Sequence, residues 1–207
     1  MKNGLFITTE GTDGSGKTTQ IRLMEAYLRE KGYEVVVTRE PGGTGIGEKI
    51  RSLILAPENT EMSETTEMLL YASARAQLVN ELIEPAIKAG RIVICDRFVD
   101  SSYAYQGFGR GIDLRTIEGI NEVALNGIKP DLTFFFDIDP KTALLRRIAT
   151  TGADRIEKEA FDFHVRVYNG YRDLARIYTE RIKTIDGNRS VEEIFEEVKG
   201  WLDRMTD

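Results

Sequence analysis

The chain has 207 residues, 41% of them hydrophobic and 30% charged, with a formal net charge of −6. Such a length and balance describe one ordinary globular domain, and the acidic sign excludes a general nucleic-acid-binding surface, which needs a basic footprint. A single cysteine, Cys95, and a single histidine, His164, exclude an intrachain disulfide and a cysteine-cluster metal site and argue against a histidine-centred triad.

Strand-length apolar bursts alternate with helical periodicity. "GLFITTE" (4–10) reads as a strand, broken by Glu10 and glycines as a signal peptide is not, and a helix follows from about Lys17 to Lys31, closed by Gly32. "YEVVVT" (33–38), "RIVICD" (91–96), "DLTFFFDID" (131–139) and "RIKTID" (181–186) give four more strands. Helical patterns fall at 45–55, 64–88, 113–126, 141–149, 157–180 and 190–204. No run approaches the roughly 20 apolar residues of a membrane span, so a cytoplasmic protein is expected. Strands bounded by helices on this rhythm predict an α/β fold, a five-stranded parallel sheet with helices on both faces.

In such sheets ligands bind outside the carboxyl ends of the strands. The segments there are "GTDGSGKT", "REPGGT", "DRFVDSS", "DIDPKT" and "DGNRS", rich in glycine, charge and hydroxyls. The opposite ends carry plain helix stops. One edge of the sheet is therefore expected to be functional.

Gly11, Thr12, Asp13, Gly14, Ser15, Gly16, Lys17 and Thr18 match G-x-x-x-x-G-K-[ST] between a strand and a helix. Glycines let backbone N–H groups converge on phosphate oxygens at a helix N-terminus. Lys17 is placed to bridge the terminal phosphates, and the Thr18 hydroxyl to meet Mg²⁺. No Asn-Lys-x-Asp segment follows, which argues against a guanine-reading switch. A kinase needs a second site holding the acceptor in line.

"ICDRFVDSSYAYQG" (94–107) is the candidate for that site. Asp96 ends an apolar strand in the manner of a metal-linked carboxylate, with Asp137 and Asp139 competing for the role, and Arg97 sets a cation beside it. Arg39 in "TREPGGT" offers a second guanidinium. Farther along, Thr150, Thr151 and Gly152 interrupt a helical pattern between Arg146, Arg147 and Arg155. That break reads either as a solvated loop or as a lid whose arginines neutralise the transferring phosphoryl group.

Together "EGTDGSGKTTQ", "TREPGGT", "EKIRSLIL", "LLYASARAQL", "CDRFVDSSYAYQG", "KPDLTFFFDI" and "DRIEKEAFDFHVRV" resemble the thymidylate kinase family of the bacterial type, over nearly the whole chain. The resemblance implies a P-loop kinase with a small lid at about 146–158, moving a phosphoryl group from ATP to dTMP with Mg²⁺ and working as a homodimer. It puts Tyr71 under the thymine ring and Arg75 at the base edge, although by itself "MLLYASARAQL" reads as a core helix. Ser102 and Gln106 would be the base-edge and sugar-side hydrogen-bonding residues, Tyr105 would pack near C2′, and Arg39, Arg51 and Arg97 would meet or shape the acceptor phosphate. Asp13 would lie near the sugar 3′-hydroxyl, and Thr18 and Asp96 would serve the metal. The P-loop holds no arginine, so a further cation must come from elsewhere; the resemblance implies the lid as its source, with Arg155 and Arg147 as candidates. Another nucleoside or nucleoside monophosphate kinase on the same fold is the nearest alternative; a P-loop regulatory protein is the other.

Overall fold

In the computed structural model, residues 4–148 and 154–206 are described, without the side chains of Arg147 and Ile148. The five strands are β1 (Leu5–Glu10), β2 (Val35–Arg39), β3 (Ile92–Asp96), β4 (Leu132–Asp137) and β5 (Ile182–Asp186), all parallel in the order β2-β3-β1-β4-β5. Each expected strand is present with bounds shifted by one or two residues, β2 ending one residue later than expected, at Arg39. Their continuous apolar character has a direct cause, since helices cover both faces.

The two-residue strand period divides the core. Ile7, Ile92, Ile94, Phe134 and Phe136 face α1 (Lys17–Glu30) and α9 (Val191–Thr206), where Met24, Leu28, Val198 and Leu202 are buried against them. Phe6, Val93 and Cys95 point the other way, onto Leu78, Val79, Ile83 and Phe98. Phe135 and Ile182 meet α8 (Phe161–Ile177) through Phe163, Val167, Tyr171 and Leu174. Cys95 is thus a small buried apolar residue.

The expected helix at 64–88 is α3 (Glu64–Leu78), a π-helical turn (Val79–Ile83) and α4 (Glu84–Lys88) in one continuous run. Pro85 has no N–H to give, and the ladder shifts register just before it, Glu84 N–H bonding to Val79 O. The remaining expected helices are α2 (Gly45–Leu55), α6 (Leu114–Leu125) and α7 (Pro140–Ile148). The last expected long helix begins only at Phe161, because 154–159 form turns in which Asp154 and Glu157 cap each other's backbone N–H. Thr150, Thr151 and Gly152 lie outside the described residues.

One helix has no counterpart in the sequence reading. Directly after β3 the chain enters α5 (Val99–Ser102) and then a π-helical stretch, Tyr103–Gly109. Its buried residues mix Val99 and Ala104 with Asp100, Ser102, Gln106 and two glycines, so no hydrophobic period betrays it. Close packing on α8 holds it in place. A Cβ at Gly109 would sit 2.7 Å from the Phe163 ring, and one at Gly170 would sit 2.7 Å from the ring of Phe108.

Gly170→Ala is therefore expected to destabilise the fold by about 1–3 kcal/mol, outweighing the ~1 kcal/mol that alanine contributes to helix propensity. Thermal denaturation measures this directly; a raised melting temperature would show that Phe108 yields without cost.

Candidate active site

Strand register brings the two signature segments together. β1 and β3 align Thr9 with Asp96, and Arg97 N–H bonds to Thr9 O at 2.9 Å. Arg97 then turns the chain in a left-handed conformation, φ 67°, which few non-glycine residues adopt. The abrupt end of the apolar run is this turn.

The P-loop wraps the start of α1. Gly11, Gly14 and Gly16 all have positive φ, and a Cβ at Gly14 would fall 2.2 Å from Ala143 O. Lys17 is buried, and its Nζ donates to the carbonyls of Gly11 and Thr12, each at 3.0 Å. Burial, followed by the nearby Arg97 charge, holds its pKa below the usual lysine value. Thr12 Oγ1 and Ser15 Oγ are buried with no partner among the described residues. Open space in front of Gly16 and these unused hydroxyls suit a phosphate cradle. Asp13, Gly14, Gly16, Lys17, Thr18, Asp96 and Arg146 border a cleft there of about 440 Å³. Thr18 and Asp96 supply hard oxygens to that cleft, and no cluster of three or more metal-ligating side chains exists among the described residues. Such a donor set fits Mg²⁺ carried in on phosphates and water, not a fully protein-bound ion.

A second cavity, about 150 Å³, opens on the other side of Asp13. Its wall includes Arg51, Tyr71, Arg97, Ser102, Tyr105 and Gln106, so most of the expected acceptor residues come together. Asp13 borders both spaces, and Arg97 Nη2 donates to its Oδ1 at 2.9 Å. The Arg97 guanidinium also lies over the Tyr105 ring at 5.2 Å and donates through Nη1 to Tyr171 Oη at 2.9 Å. Arg51 is steadied by a bond from Nη1 to Pro41 O at 2.9 Å.

Three expected arginines stand elsewhere. Arg39, at the end of edge strand β2, pairs with Glu48 at 2.9 Å and borders a separate surface groove. Arg75 is absent from the cavity wall and fully buried: its Nε and Nη2 hold Glu40, Nη1 reaches Ser102 Oγ at 2.8 Å and Asn121 Oδ1 at 2.5 Å, and Nη2 reaches Phe98 O at 3.1 Å. All five of its N–H donors are engaged within the protein. Arg155 is not over the P-loop either, since it donates to Ile54 O at 2.8 Å and to Glu67 Oε2 at 2.7 Å. Arg146 is the lid-flanking arginine that borders the P-loop cleft. The Arg147 side chain lies outside the described residues. His164 lies on α8, its ring edge-on to Phe163.

Three groups escaped the sequence reading. Glu10 ends β1 fully buried, taking Phe98 N–H at 2.8 Å, Ser101 Oγ at 2.7 Å and Tyr171 Oη at 3.1 Å. A carboxylate closing an apolar strand was its signal; Tyr171, on distant α8, had none. Glu67 lies one turn before Tyr71 and two before Arg75, and that spacing alone could have drawn it into the site.

A family model described as thymidylate kinase matches residues 9–198. The thymidylate kinase of Exiguobacterium sp. is 51% identical over 196 residues, spanning 95% of this chain and 92% of that protein. That of Finegoldia magna is 52% identical over 191 residues, spanning 92% and 94%, and that of Clostridium novyi 49% over 205, spanning 98% and 100%. Among solved structures, the thymidylate kinase from Ehrlichia chaffeensis superposes with a TM-score of 0.78 at 34% identity, covering 97% of this chain and 99% of that one.

Burial, reinforced by the Asp100 charge, pushes the Glu10 carboxyl up from 4.5 to about 7. The native state thus holds a proton that the unfolded chain releases, a stability contribution complete below pH 4.5 and lost as pH rises through about 7. Glu10→Gln, which mimics the protonated form, is expected to remove a pH-dependent decline on the order of 3 kcal/mol across that window. Urea unfolding at a series of pH values tests it: an unchanged decline in the variant would contradict the assignment.

Proposed function

The chain belongs to the thymidylate kinase family, and from that premise we propose that it transfers the γ-phosphoryl group of ATP to dTMP, giving dTDP, with the P-loop cleft as donor site and the Tyr71–Arg97–Gln106 cavity as acceptor site. The observation that carries this division is Asp13, which borders both spaces and holds Arg97 across the seam. Two cavities meeting at one ion pair suit two phosphate-bearing ligands approaching end to end.

ATP phosphates take the place of the Gly11 and Thr12 carbonyls around Lys17, and the Thr12 and Ser15 hydroxyls gain partners. Arg146 adds a cation at the cleft edge. Mg²⁺, held through Thr18 and Asp96, neutralises charge on the donor phosphates when bound. On the acceptor side Arg97 and Arg51 receive the dTMP phosphate, whose ionised oxygen is itself the nucleophile and needs no general base. Tyr71 offers a flat aromatic face to the base, which any base can use, so base choice rests on hydrogen bonds. Tyr105, its ring under the Arg97 guanidinium, packs where a ribose 2′-hydroxyl would fall. Positioning and electrostatics carry the transfer.

The wider reading has the protein acting in the cytoplasm; among the described residues no helix is long and apolar enough to cross a membrane. It also has two copies pairing. Leu53 on α2 and Val123 on α6 stay exposed, as does Leu69 on α3, against which both helices pack.

ADP release coupled to acceptor addition tests the function. Purified protein with ATP and Mg²⁺ is expected to release ADP at least tenfold faster with dTMP than without acceptor. Fastest turnover on a nucleoside or a purine monophosphate would reject the assignment, and acceptor-independent release would favour a regulatory nucleotide binder.

A further inference from the structure

Glu67 is the most heavily bonded carboxylate near the acceptor cavity, yet it does not border the cavity. It is buried on α3. Its Oε1 accepts from Gln106 Nε2 at 3.0 Å and Arg110 Nε at 3.2 Å, and its Oε2 from Arg110 Nη2 at 2.9 Å and Arg155 Nη2 at 2.7 Å. Burial opposes its charge, but the hydrogen bonds from Arg110 and Gln106 win, and its pKa lies below the ordinary carboxylate value.

An ionised carboxylate can only accept hydrogen bonds. The amide of Gln106 therefore has to turn its nitrogen toward Glu67, which leaves its carbonyl oxygen, an acceptor, as what it offers the cavity it borders. The neighbouring cavity residue, Ser102, is engaged by a donor instead. Arg75 can only donate, so the Ser102 oxygen accepts from Nη1 at 2.8 Å and its own O–H remains to donate. Ser102 and Gln106 are four residues apart on consecutive helical turns, so the donor and the acceptor lie side by side.

We propose that Glu67 is a positioning residue for base selection: by fixing the direction of the Gln106 amide, it presents a carbonyl acceptor beside the Ser102 hydroxyl, complementary to a pyrimidine with a ring N–H beside a carbonyl. Thymine and uracil present that pair at N3–H and O4. Cytosine inverts both positions, with a bare N3 and an amino donor, and would leave Gln106 Oε1 facing a lone pair. This rests on the acceptor reading above and deepens it, because the discrimination comes from buried charges that never touch the ligand. The order of the energies supports it. Turning the amide would set its oxygen against a buried carboxylate, whereas a mismatched ligand can stay in water.

The test is Glu67→Gln, whose side-chain amide accepts Gln106 in either direction. In steady-state assays the ratio of kcat/KM for dTMP over that for dCMP is expected to fall about tenfold or more relative to wild type. A loss of packing or lid anchoring lowers both acceptors together, so an unchanged ratio overturns the proposal. If the variant does not fold, the wild-type protein decides with the 3-deaza analogue of dTMP, in which C–H replaces N3–H. Calorimetric affinity about tenfold or more below that of dTMP supports the acceptor at Gln106, and equal affinity overturns it. Wild-type turnover of dTMP checks the underlying reading separately: its absence removes that reading, whereas an unchanged ratio beside active wild type removes only the role of Glu67.

Discussion

The Arg97–Asp13 pair is the interaction on which the site depends. Asp13 is a P-loop residue and Arg97 is the first residue beyond β3, so their 2.9 Å contact ties the P-loop cleft to the second cavity. Everything around Arg97 serves to hold it. The β1–β3 register fixes its backbone, and a left-handed turn aims its side chain back across the sheet edge. Tyr171 and Ser101 then anchor the guanidinium, and both are anchored on Glu10. Left-handed backbone at a non-glycine residue costs about 1–2 kcal/mol. A fold tolerates that cost where the resulting orientation is needed.

Behind the cavity lies a layer of buried charge, of which Glu40 alone also borders the cavity. Arg75 holds Glu40, Ser102 and Asn121, while Glu67 holds Gln106, Arg110 and Arg155. Removing one partner from such a network strands the others and costs about 3–5 kcal/mol. The layer's contribution is orientation. Ser102 and Gln106 have neutral side chains free to turn in water; here the Gln106 amide is directed by a group that can only accept, and the Ser102 oxygen is held by one that can only donate. The same carboxylate also grips Arg155, which is thereby held between α3 and the end of α2.

Strands and P-loop were legible because their signals are local. A strand buried on both faces must be apolar throughout, and a phosphate loop must combine glycines, a lysine and a hydroxyl in fixed spacing. That Tyr71, Arg97, Ser102, Tyr105 and Gln106 share one cavity matches their expected grouping. The directions of long side chains were not legible. Arg75, Arg39 and Arg155 each found a carboxylate that sequence spacing does not announce: Glu40 lies 35 residues from Arg75, and Glu67 lies 88 from Arg155. The helix after β3 escaped because polar residues and glycines interrupt its few buried apolar ones, Val99 and Ala104, and periodicity arguments count only apolar residues.

Calorimetric titration of Arg97→Ala with each ligand in turn addresses the division of the site most directly. The account predicts that dTMP affinity falls by about tenfold to a hundredfold, the loss of one charge-assisted phosphate contact, while ATP, whose cleft Arg97 does not border, binds as to wild type. Undiminished dTMP affinity, or a loss shared equally by both nucleotides, would contradict it.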